Sequence, residues 1–361
     1  MTPTDVERTR EETRALAAAA SAGDETAWSS LAERYRGELR VHCYRMLGSF
    51  EEAEDLVQET FLRAWRGRDG FEGRATFRTW LYRIATNACL DAVTRSRRRQ
   101  AEEPAGQRSD TGEPELEITW LQPFPDSLLE EIATADAGPD EAAVSKETIE
   151  LAFMVAIQHL PPNQRAVLIL RTVVGWSASE TAALLETSVA SVNSALQRAR
   201  ATLRERLPGP RSEWAPGANA TDEERALLRR YVEATEKPDP AAFVEMMRDD
   251  TRFAMPPTPE TFVGAETIVD AWRSGGFGDP DFGAMRCLVT RANMQPAVAC
   301  YVRRPGEAAY RPMAIDVLRI EDGLIAEIIV FPPDVFASFG LPDAHPADGG
   351  DGTDRGGLRR P

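Results

Sequence analysis

An acidic segment rich in proline and glycine, residues 101–144, limits what this chain can fold into. Residues 101–160 hold 14 Asp and Glu against 2 Lys and Arg, whereas residues 1–100 have a net charge of +1 and residues 161–207 a net charge of +3. A segment so highly charged cannot bury enough apolar surface to form a core of its own. The chain of 361 residues is therefore predicted to form separate domains on either side of an irregular linker.

Residues 24–100, before this linker, carry the spacing of amphipathic helices. The stretch SFEEAEDLVQETFLRAW begins with Ser49 and Glu52 at capping-box spacing and continues with an apolar stripe. The stretch FRTWLYRIATNACLDAVTRSRRRQ (77–100) also has one apolar face, and it holds six arginines against one acid although the whole chain has a net charge of −16. Arginines on one helix face favour contact with phosphates, and nearby aromatic or amide side chains can hold unstacked bases.

Residues 145–207 are predicted to be helical again. The prolines at 161–162 begin one helix, and Ser177 with Glu180 forms a second capping box at the start of the next. The short turn ETS (186–188) precedes a last helix whose outward face is polar and basic. A helix, a short turn and a second helix with a basic polar face are typical of a helix-turn-helix motif.

The remaining segments differ from these helical blocks. The linker contains an apolar island, WLQPFPDSLLE (120–130), which is expected to dock on another part of the protein. Residues 221–340 are predicted to form an α+β domain in which helices precede a curved antiparallel sheet. Its strands are expected at 284–294, 296–304, 310–320 and 324–331, with the turn EDG at 321–323 between the last two. The segments left over are an N-terminal segment (1–23), a second linker (208–220) and a tail expected to be disordered (341–361).

The cysteine pattern and hydropathy indicate the compartment. The four cysteines are widely spread without a CxxC pair or a histidine at metal-ligand spacing, so each is interpreted as a small buried apolar residue in a reduced, cytoplasmic protein. No run of about 18 apolar residues is present, which argues against a membrane helix. Neither a metal nor a cofactor is predicted.

Three motifs in this order resemble the extracytoplasmic-function group of bacterial RNA polymerase sigma factors. EEAEDLVQETFLRAWRG is similar to the segment with which the family binds polymerase, TFRTWLYRIATNACLDAVTRSRRR to its promoter-melting segment, and LPPNQRAVLILRTVVGWSASETAALLETSVASVNSALQRARATL to its upstream-element reader. The resemblance covers residues 24–207, with region 2 at 24–100 and region 4 at 145–207. The expected fold is therefore two all-α sigma domains, the second a helix-turn-helix, followed by an α+β domain.

The resemblance implies core RNA polymerase, through the clamp helices of its beta-prime subunit, and promoter DNA as partners. Polymerase contacts are expected at Glu54, Asp55, Val57, Gln58 and Phe61. Minus-ten contacts are expected from Arg74, in a loop where the family captures a flipped base, and from Arg78, Tyr82, Arg83, Asn87 and Arg95. Minus-thirty-five contacts are expected from Ser191, Asn193, Ser194, Gln197 and Arg198, with Arg165, Arg198 and Arg200 suited to phosphates. Trp80 is interpreted as a core residue.

The sequence departs from the family pattern in two places. Basic residues are common in the family where Asn193 and Ala195 stand, which implies a weaker or differently tuned grip on the upstream element. The turn usually has a glycine where Glu186 stands, and a left-handed backbone there would cost a glutamate about 1 kcal/mol.

The C-terminal domain resembles the SnoaL-like cone fold, on the order of its elements and the stretch FVGAETIVDAW. Related folds include cyclases and isomerases in which an aspartate in an apolar pocket is the base, and Asp316 and Asp270 are the candidates for that role. With no nucleophile pair and no metal cluster, the domain is predicted to be a regulatory module, with an unknown small ligand or regulator as its partner, and not an enzyme.

Two alternatives stay open at this point. One is a cyclase or isomerase fused to a DNA-binding front end, and the other is a helix-turn-helix repressor that binds duplex DNA without polymerase. A further hypothesis concerns the linker, whose charge of −12 over residues 101–160 could mimic DNA and occupy basic surfaces when DNA is absent.

Overall fold

A computed structural model describes residues 3–71, 75–102, 121–129, 149–207, 221–256, 258 and 260–346, with only the backbone for 3–10, 96–102 and 346. The chain divides into two compact units. The first comprises Met1–Pro216, Pro256–Pro259 and Arg291–Gln295, and the second comprises the rest. Several sequence predictions lie outside the described residues. These are the contact of Arg74, the linker at 103–120 and 130–144, the second linker 208–220, and the tail beyond 346.

The first unit begins with four helices. Helix α2 begins after Asp24, whose carboxylate accepts the N–H groups of Thr26 and Ala27, and it ends at Gly48 in the left-handed region. Ser49 caps α3 by accepting the Glu52 N–H, as the sequence predicts. The bounds are α1 Pro3–Ser21, α2 Glu25–Leu47, α3 Phe50–Arg66 and α4 Phe77–Glu102, with a 3-10 turn at Arg68–Gly70. Helix α1 was not predicted from the sequence.

Four further helices of this unit have both ends within the described residues. They are α5 Leu151–Gln158, α6 Pro162–Thr172, α7 Ala178–Leu184 and α8 Val189–Arg206. Proline stands at the first position of α6, and Ser177 with Glu180 forms a complete capping box on α7, so both sequence predictions are confirmed. Glu186, in the turn before α8, has a φ of 50° and so adopts the left-handed backbone that the sequence suggested.

The apolar island of the linker is described over residues 121–129, where Leu121, Phe124 and Leu129 are buried in the first unit. The Phe124 ring packs against Tyr44 at 5.0 Å and against Phe50 at 5.4 Å between centroids. The turn at residues 291–295, which is part of this unit, holds the island in place. Its fully buried Asn293 accepts the Phe124 N–H at 2.7 Å and donates to the Tyr44 hydroxyl and the Ile149 carbonyl. The island is thus fixed by packing and by hydrogen bonds.

The second unit is an α+β domain. Its helices are α9 Asp222–Glu236, α10 Pro240–Met246 and α11 Ala265–Ser274, with a 3-10 helix at Pro333–Phe339. Its strands are β1 Met247–Ala254, β2 Thr261–Val263, β3 Ala284–Ala292, β4 Gln295–Arg303, β5 Ala309–Glu321, β6 Leu324–Phe331 and β7 His345–Pro346. The four strands expected from the sequence are confirmed as β3 to β6.

The sheet has the order β2-β1-β6-β5-β4-β3, and β7 pairs with β5. Strands β5 and β6 are antiparallel and joined by a tight turn in which Asp322 and Gly323 both have positive φ. The antiparallel pairing expected of the predicted strands is confirmed for β4 with β5 and for β5 with β6. Strand β1, which was not predicted, runs parallel to β6, so the sheet as a whole is mixed. The two strands are far apart in sequence, and local turn signals therefore do not decide how they pair.

One face of this sheet and the helices above it form the core of the second unit. Side chains from α9, α10 and α11 meet inward residues of the strands in a cluster that includes Tyr231, Phe243 and Ile268. Asp316 lies on β5 between Ala314 and Leu318, which both belong to that cluster. Because alternate residues of a strand lie on the same face, the Asp316 side chain faces the core as well. In the described part of the chain, no helix is both long enough and apolar enough to span a membrane.

Candidate nucleic-acid interface

Helix α4 presents a basic face. Arg78, Arg83, Asn87 and Arg95 are all exposed along it. Their intervals place Arg83, Asn87 and Arg95 on one side of the helix, whereas Arg78 lies about 100° or more around it from each of them. Arg78 pairs with Glu38 at 2.8 Å and lies over the Tyr82 ring, 4.8 Å from its centroid. The other three project into solvent, where a phosphate backbone could meet them.

Tyr82 lies inside the first unit. Only 4% of it is exposed, its hydroxyl donates to Glu38 at 3.2 Å, and its ring packs against His42 and Trp176. Burial, followed by the charge of Glu38, raises the pKa of this phenol. The expectation that Tyr82 contacts promoter bases does not agree with this position, because a base cannot reach a ring packed between helices.

An aromatic cluster lies at the start of α4. Trp80 packs at 5.1 Å from Phe71 and 5.6 Å from Phe77, and both of these rings also contact each other. Trp80 is half-buried, so it packs against other rings but is not the fully buried core residue that the sequence predicted. The cluster holds the beginning of α4 against Phe71, which follows the 3-10 turn.

Helix α3 divides the five predicted polymerase contacts into two groups. Asp55 and Gln58 are exposed, whereas Val57 is fully buried and Phe61 is 8% exposed. Glu54 is half-buried and forms an ion pair with the buried Arg40. Val57 and Phe61 therefore hold α3 in the unit, and a partner can meet only the outward residues directly.

The outward face of α3 includes one apolar residue that the sequence reasoning missed. Leu62 is 49% exposed and lies one turn beyond Gln58. In the sequence, Leu62 could have been noticed as an apolar residue that lies outside the inward apolar stripe of α3. Together, Asp55, Gln58 and Leu62 form a mixed surface suited to a protein partner.

The helix-turn-helix places all but one of the predicted upstream-element residues on the surface. Val192, Leu196, Ala199 and Leu203 form the inward face of α8. The opposite face exposes Ser191, Asn193, Ser194, Gln197, Arg198 and Arg200. The N-cap Ser188 accepts the Ser191 N–H and bonds its hydroxyl at 2.9 Å, so Ser191 also takes part in capping the helix.

Arg165 is the exception among these predicted residues. It is 2% exposed, and its guanidinium donates to the carbonyls of Met46, Gln158 and Leu160 and to the side chain of Gln158. These carbonyls belong to the ends of α2 and α5. A side chain engaged in this way is not available to a phosphate, so the structure gives Arg165 a role in packing.

The second unit contains a buried polar cluster around the carboxylate of Asp316. Asp316 is 9% exposed, and its Oδ2 accepts the Tyr231 hydroxyl at 2.9 Å and the Cys300 thiol at 3.5 Å. The Cys287 thiol lies 3.7 Å from that of Cys300. Burial raises the pKa of Asp316 to about 6, although the hydrogen bonds from Tyr231 and Cys300 act to lower it.

The other candidate acid, Asp270, has a different environment. It is exposed on α11 and pairs with Arg273 at 3.6 Å. The two acids therefore do not form a pair, and the buried residue of the two is Asp316. Over the residues that the structure describes, no group of three or more His, Cys, Asp or Glu side chains could hold a metal.

Three family models match successive parts of the chain. Sigma-70 region 2 matches residues 31–99, Sigma-70 region 4 matches residues 150–203, and the SnoaL-like domain matches residues 228–328. These matches follow the order of the two helical groups and the α+β unit.

Individual proteins are similar over comparable lengths. The ECF RNA polymerase sigma factor SigG of Mycobacterium tuberculosis is 40% identical over 324 residues, which is 88% of this chain and 84% of SigG. The ECF RNA polymerase sigma factor SigW of Bacillus subtilis is 32% identical over 185 residues, 51% of this chain and 91% of SigW. The crystal structure of the Mycobacterium tuberculosis sigma factor SigJ has the same fold, with a TM-score of 0.55, 22% identity and coverage of 87% of this chain and 99% of SigJ.

Proposed function

Because the chain belongs to the ECF RNA polymerase sigma factors, with a SnoaL-like domain at its C-terminal end, we propose that it binds core RNA polymerase and directs it to promoters. ECF sigma factors are not enzymes, and the proposal gives the SnoaL-like domain no catalytic role. Its proposed role is to regulate the sigma domains, through a ligand or a protein regulator.

The proposed polymerase surface is the outward face of α3. Asp55 and Gln58 are exposed there, and Leu62 adds an apolar contact of the kind that protein interfaces bury at their centre. The clamp helices of the beta-prime subunit are the proposed partner, as the family resemblance implies. Val57 and Phe61 support this face from inside.

The proposed minus-ten surface is the basic face of α4. Arg83, Asn87 and Arg95 are exposed on one side of the helix, and Arg78 is exposed on another side near its start. The arginines would contact phosphates and the amide would contact a base, so binding should weaken steeply with added salt. Arg74, in the adjacent loop, stays a proposed contact.

The proposed minus-thirty-five surface is the exposed face of α8. Asn193 and Gln197 carry amides that can bond adenine in the major groove, and Arg198 and Arg200 can bond phosphates. The single observation that carries the proposal is that this face and the basic face of α4 are both exposed on one compact helical unit. A repressor that binds duplex DNA would need only the exposed face of α8.

In vitro run-off transcription with core polymerase and genomic promoter fragments tests this function. We expect the full chain to give specific transcripts and the Arg83→Glu variant to give at least tenfold fewer, because a like charge then faces the phosphates. Arg229→Glu, an exposed arginine on α9, is the matched control and should transcribe normally.

The same assay separates the alternatives. A chain that binds duplex DNA but never core polymerase would be a repressor, and the proposal would fall. A chain ending near Leu207 tests the regulatory role, since transcripts that differ in amount from those of the full chain are expected. Equal amounts from both chains would argue against regulation by the SnoaL-like domain.

A further inference from the structure

The first half of helix α8 has no charged side chain. From Ser188 to Gln197 every residue is uncharged, and the exposed ones are small, apolar or amides. The exposed arginines follow only afterwards, at Arg198, Arg200, Arg204 and Arg206. In a helix-turn-helix, the first residues of the recognition helix meet base edges in the major groove. On this helix, therefore, the part that meets the bases is neutral and the part that follows is cationic.

Val189 is an apolar side chain left exposed at the start of this neutral face. It is 45% exposed, whereas Val192 on the same helix is fully buried and Leu196 is 8% exposed. Its position does not serve the cap, because Ser188 is the N-cap and a hydrophobic staple would instead join Thr187 to Val192. Capping and core packing both leave Val189 unexplained.

Val189 and Asn193 lie on the same side of α8. They are four residues apart, which places them one above the other on the helix surface. The axial rise between them is about 6 Å, against about 3.4 Å between successive base pairs. The two side chains can therefore meet base pairs one or two steps apart.

The chemistry of these side chains selects among the bases. Guanine is read mainly by Arg or Lys, and neither stands in the neutral half of α8. Adenine is read by Asn or Gln, and the methyl group of thymine by small apolar side chains. We propose, on the basis of the sigma-factor function proposed above, that α8 reads A·T base pairs in the upstream promoter element, with Val189 against a thymine methyl group and Asn193 on a nearby adenine.

The test uses the full chain with core polymerase on a promoter found by run-off transcription. Each thymine of the upstream element is replaced in turn by deoxyuridine, which removes only the methyl group. One such position should weaken wild-type promoter binding about fourfold, the effect of burying one methyl-sized group. Val189→Ala should bind the thymine promoter about fourfold more weakly and should not respond to deoxyuridine at that position.

Val263→Ala, a valine exposed to a similar extent on β2, is the matched control and should keep the full response to deoxyuridine.

A second variant tests the contact of the Asn193 amide with adenine. Upstream sequences selected from a random pool by wild-type holoenzyme should be enriched in A·T pairs, and Asn193→Arg should replace one of them with G·C.

The inference is overturned if no thymine responds to deoxyuridine, or if Val189→Ala keeps the wild-type response. Loss of core-polymerase binding by Val189→Ala would also overturn it, because the valine would then contact protein. Failure of the proposed function looks different, since no promoter would then give a polymerase-dependent transcript.

Discussion

Asp316 and Glu186 hold an environment and a conformation that cost free energy. Asp316 is a carboxylate on the buried face of β5, where two neutral donors, Tyr231 and Cys300, bond it. Glu186 has a φ of 50° in the turn before α8, at a cost of about 1 kcal/mol relative to glycine. A protein keeps such a conformation or environment when the surrounding interactions stabilise it by more than it costs.

Asp316→Asn should change how the stability of the second unit depends on pH. The folded pKa of about 6 lies above the ordinary aspartate pKa of 3.8, so the folded state binds more protons between pH 4 and 6. The free energy of unfolding of the wild type therefore falls as pH rises through this range, by up to about 3 kcal/mol. The asparagine variant should lack this fall and be the more stable protein at pH 7.5.

Hydrogen exchange of the β5 amides measures this effect, because it reports on the second unit alone. Asp270→Asn, an exposed acid on α11, should keep the wild-type pH dependence. Equal pH dependence in wild type and Asp316→Asn would contradict the assignment of the raised pKa to Asp316.

Helix ends are the element-scale feature that holds the first unit together. The Arg165 guanidinium, on α6, meets carbonyls at the ends of α2 and α5, where a cation is favoured by the helix dipole. Tyr82 of α4 packs against Trp176 before α7, with 6.4 Å between ring centroids. Helices of both sigma regions are joined by these contacts.

Arg165→Met should destabilise the first unit by at least about 3 kcal/mol, because several buried carbonyls lose their donor at once. Arg198→Met, an exposed arginine on α8, should change stability by less than about 0.5 kcal/mol but weaken promoter binding. Urea unfolding followed by helical circular dichroism, together with a promoter-binding assay, distinguishes the two roles. If Arg165→Met were as stable as the wild type but bound promoter DNA more weakly, the packing role would be wrong and Arg165 would be a promoter contact.

At the scale of the whole molecule, charge is the property that the sequence distributes most unevenly. The chain carries −16 overall, of which residues 101–160 contribute −12. The proposed DNA surfaces on α4 and α8 are basic within this acidic protein. Long-range repulsion from the rest of the chain should therefore suppress non-specific DNA binding, most strongly at low salt.

Neutralising the linker acids tests this suppression. Replacing the four Asp and Glu residues of the linker between 110 and 117 by Asn and Gln should strengthen binding to non-promoter DNA at low salt, because a competing anion is removed. The difference should vanish at high salt as the charges are screened. Replacing the same number of exposed acids on α9 is the control, and unchanged binding by the linker variant would argue against DNA mimicry.

Local elements and the family could be predicted from the sequence. Capping residues and apolar spacing predicted α3, α4, α7 and α8, and alternating strands predicted β3 to β6, because these signals arise between residues a few positions apart. The same motifs, in their order, indicated the sigma-factor family and its likeness to a SnoaL-like domain.

The tertiary structure alone decided which predicted contacts face outward and how distant strands pair. Arg165 was expected to meet phosphates, yet it bonds the carbonyl of Met46, 119 positions away. Tyr82, Val57 and Phe61 are buried for the same reason, since other helices cover them. The parallel pairing of β1 with β6 and the burial of Asn293 also depend on segments far apart in the chain, and spacing along a sequence carries no information about which distant surface will cover a side chain.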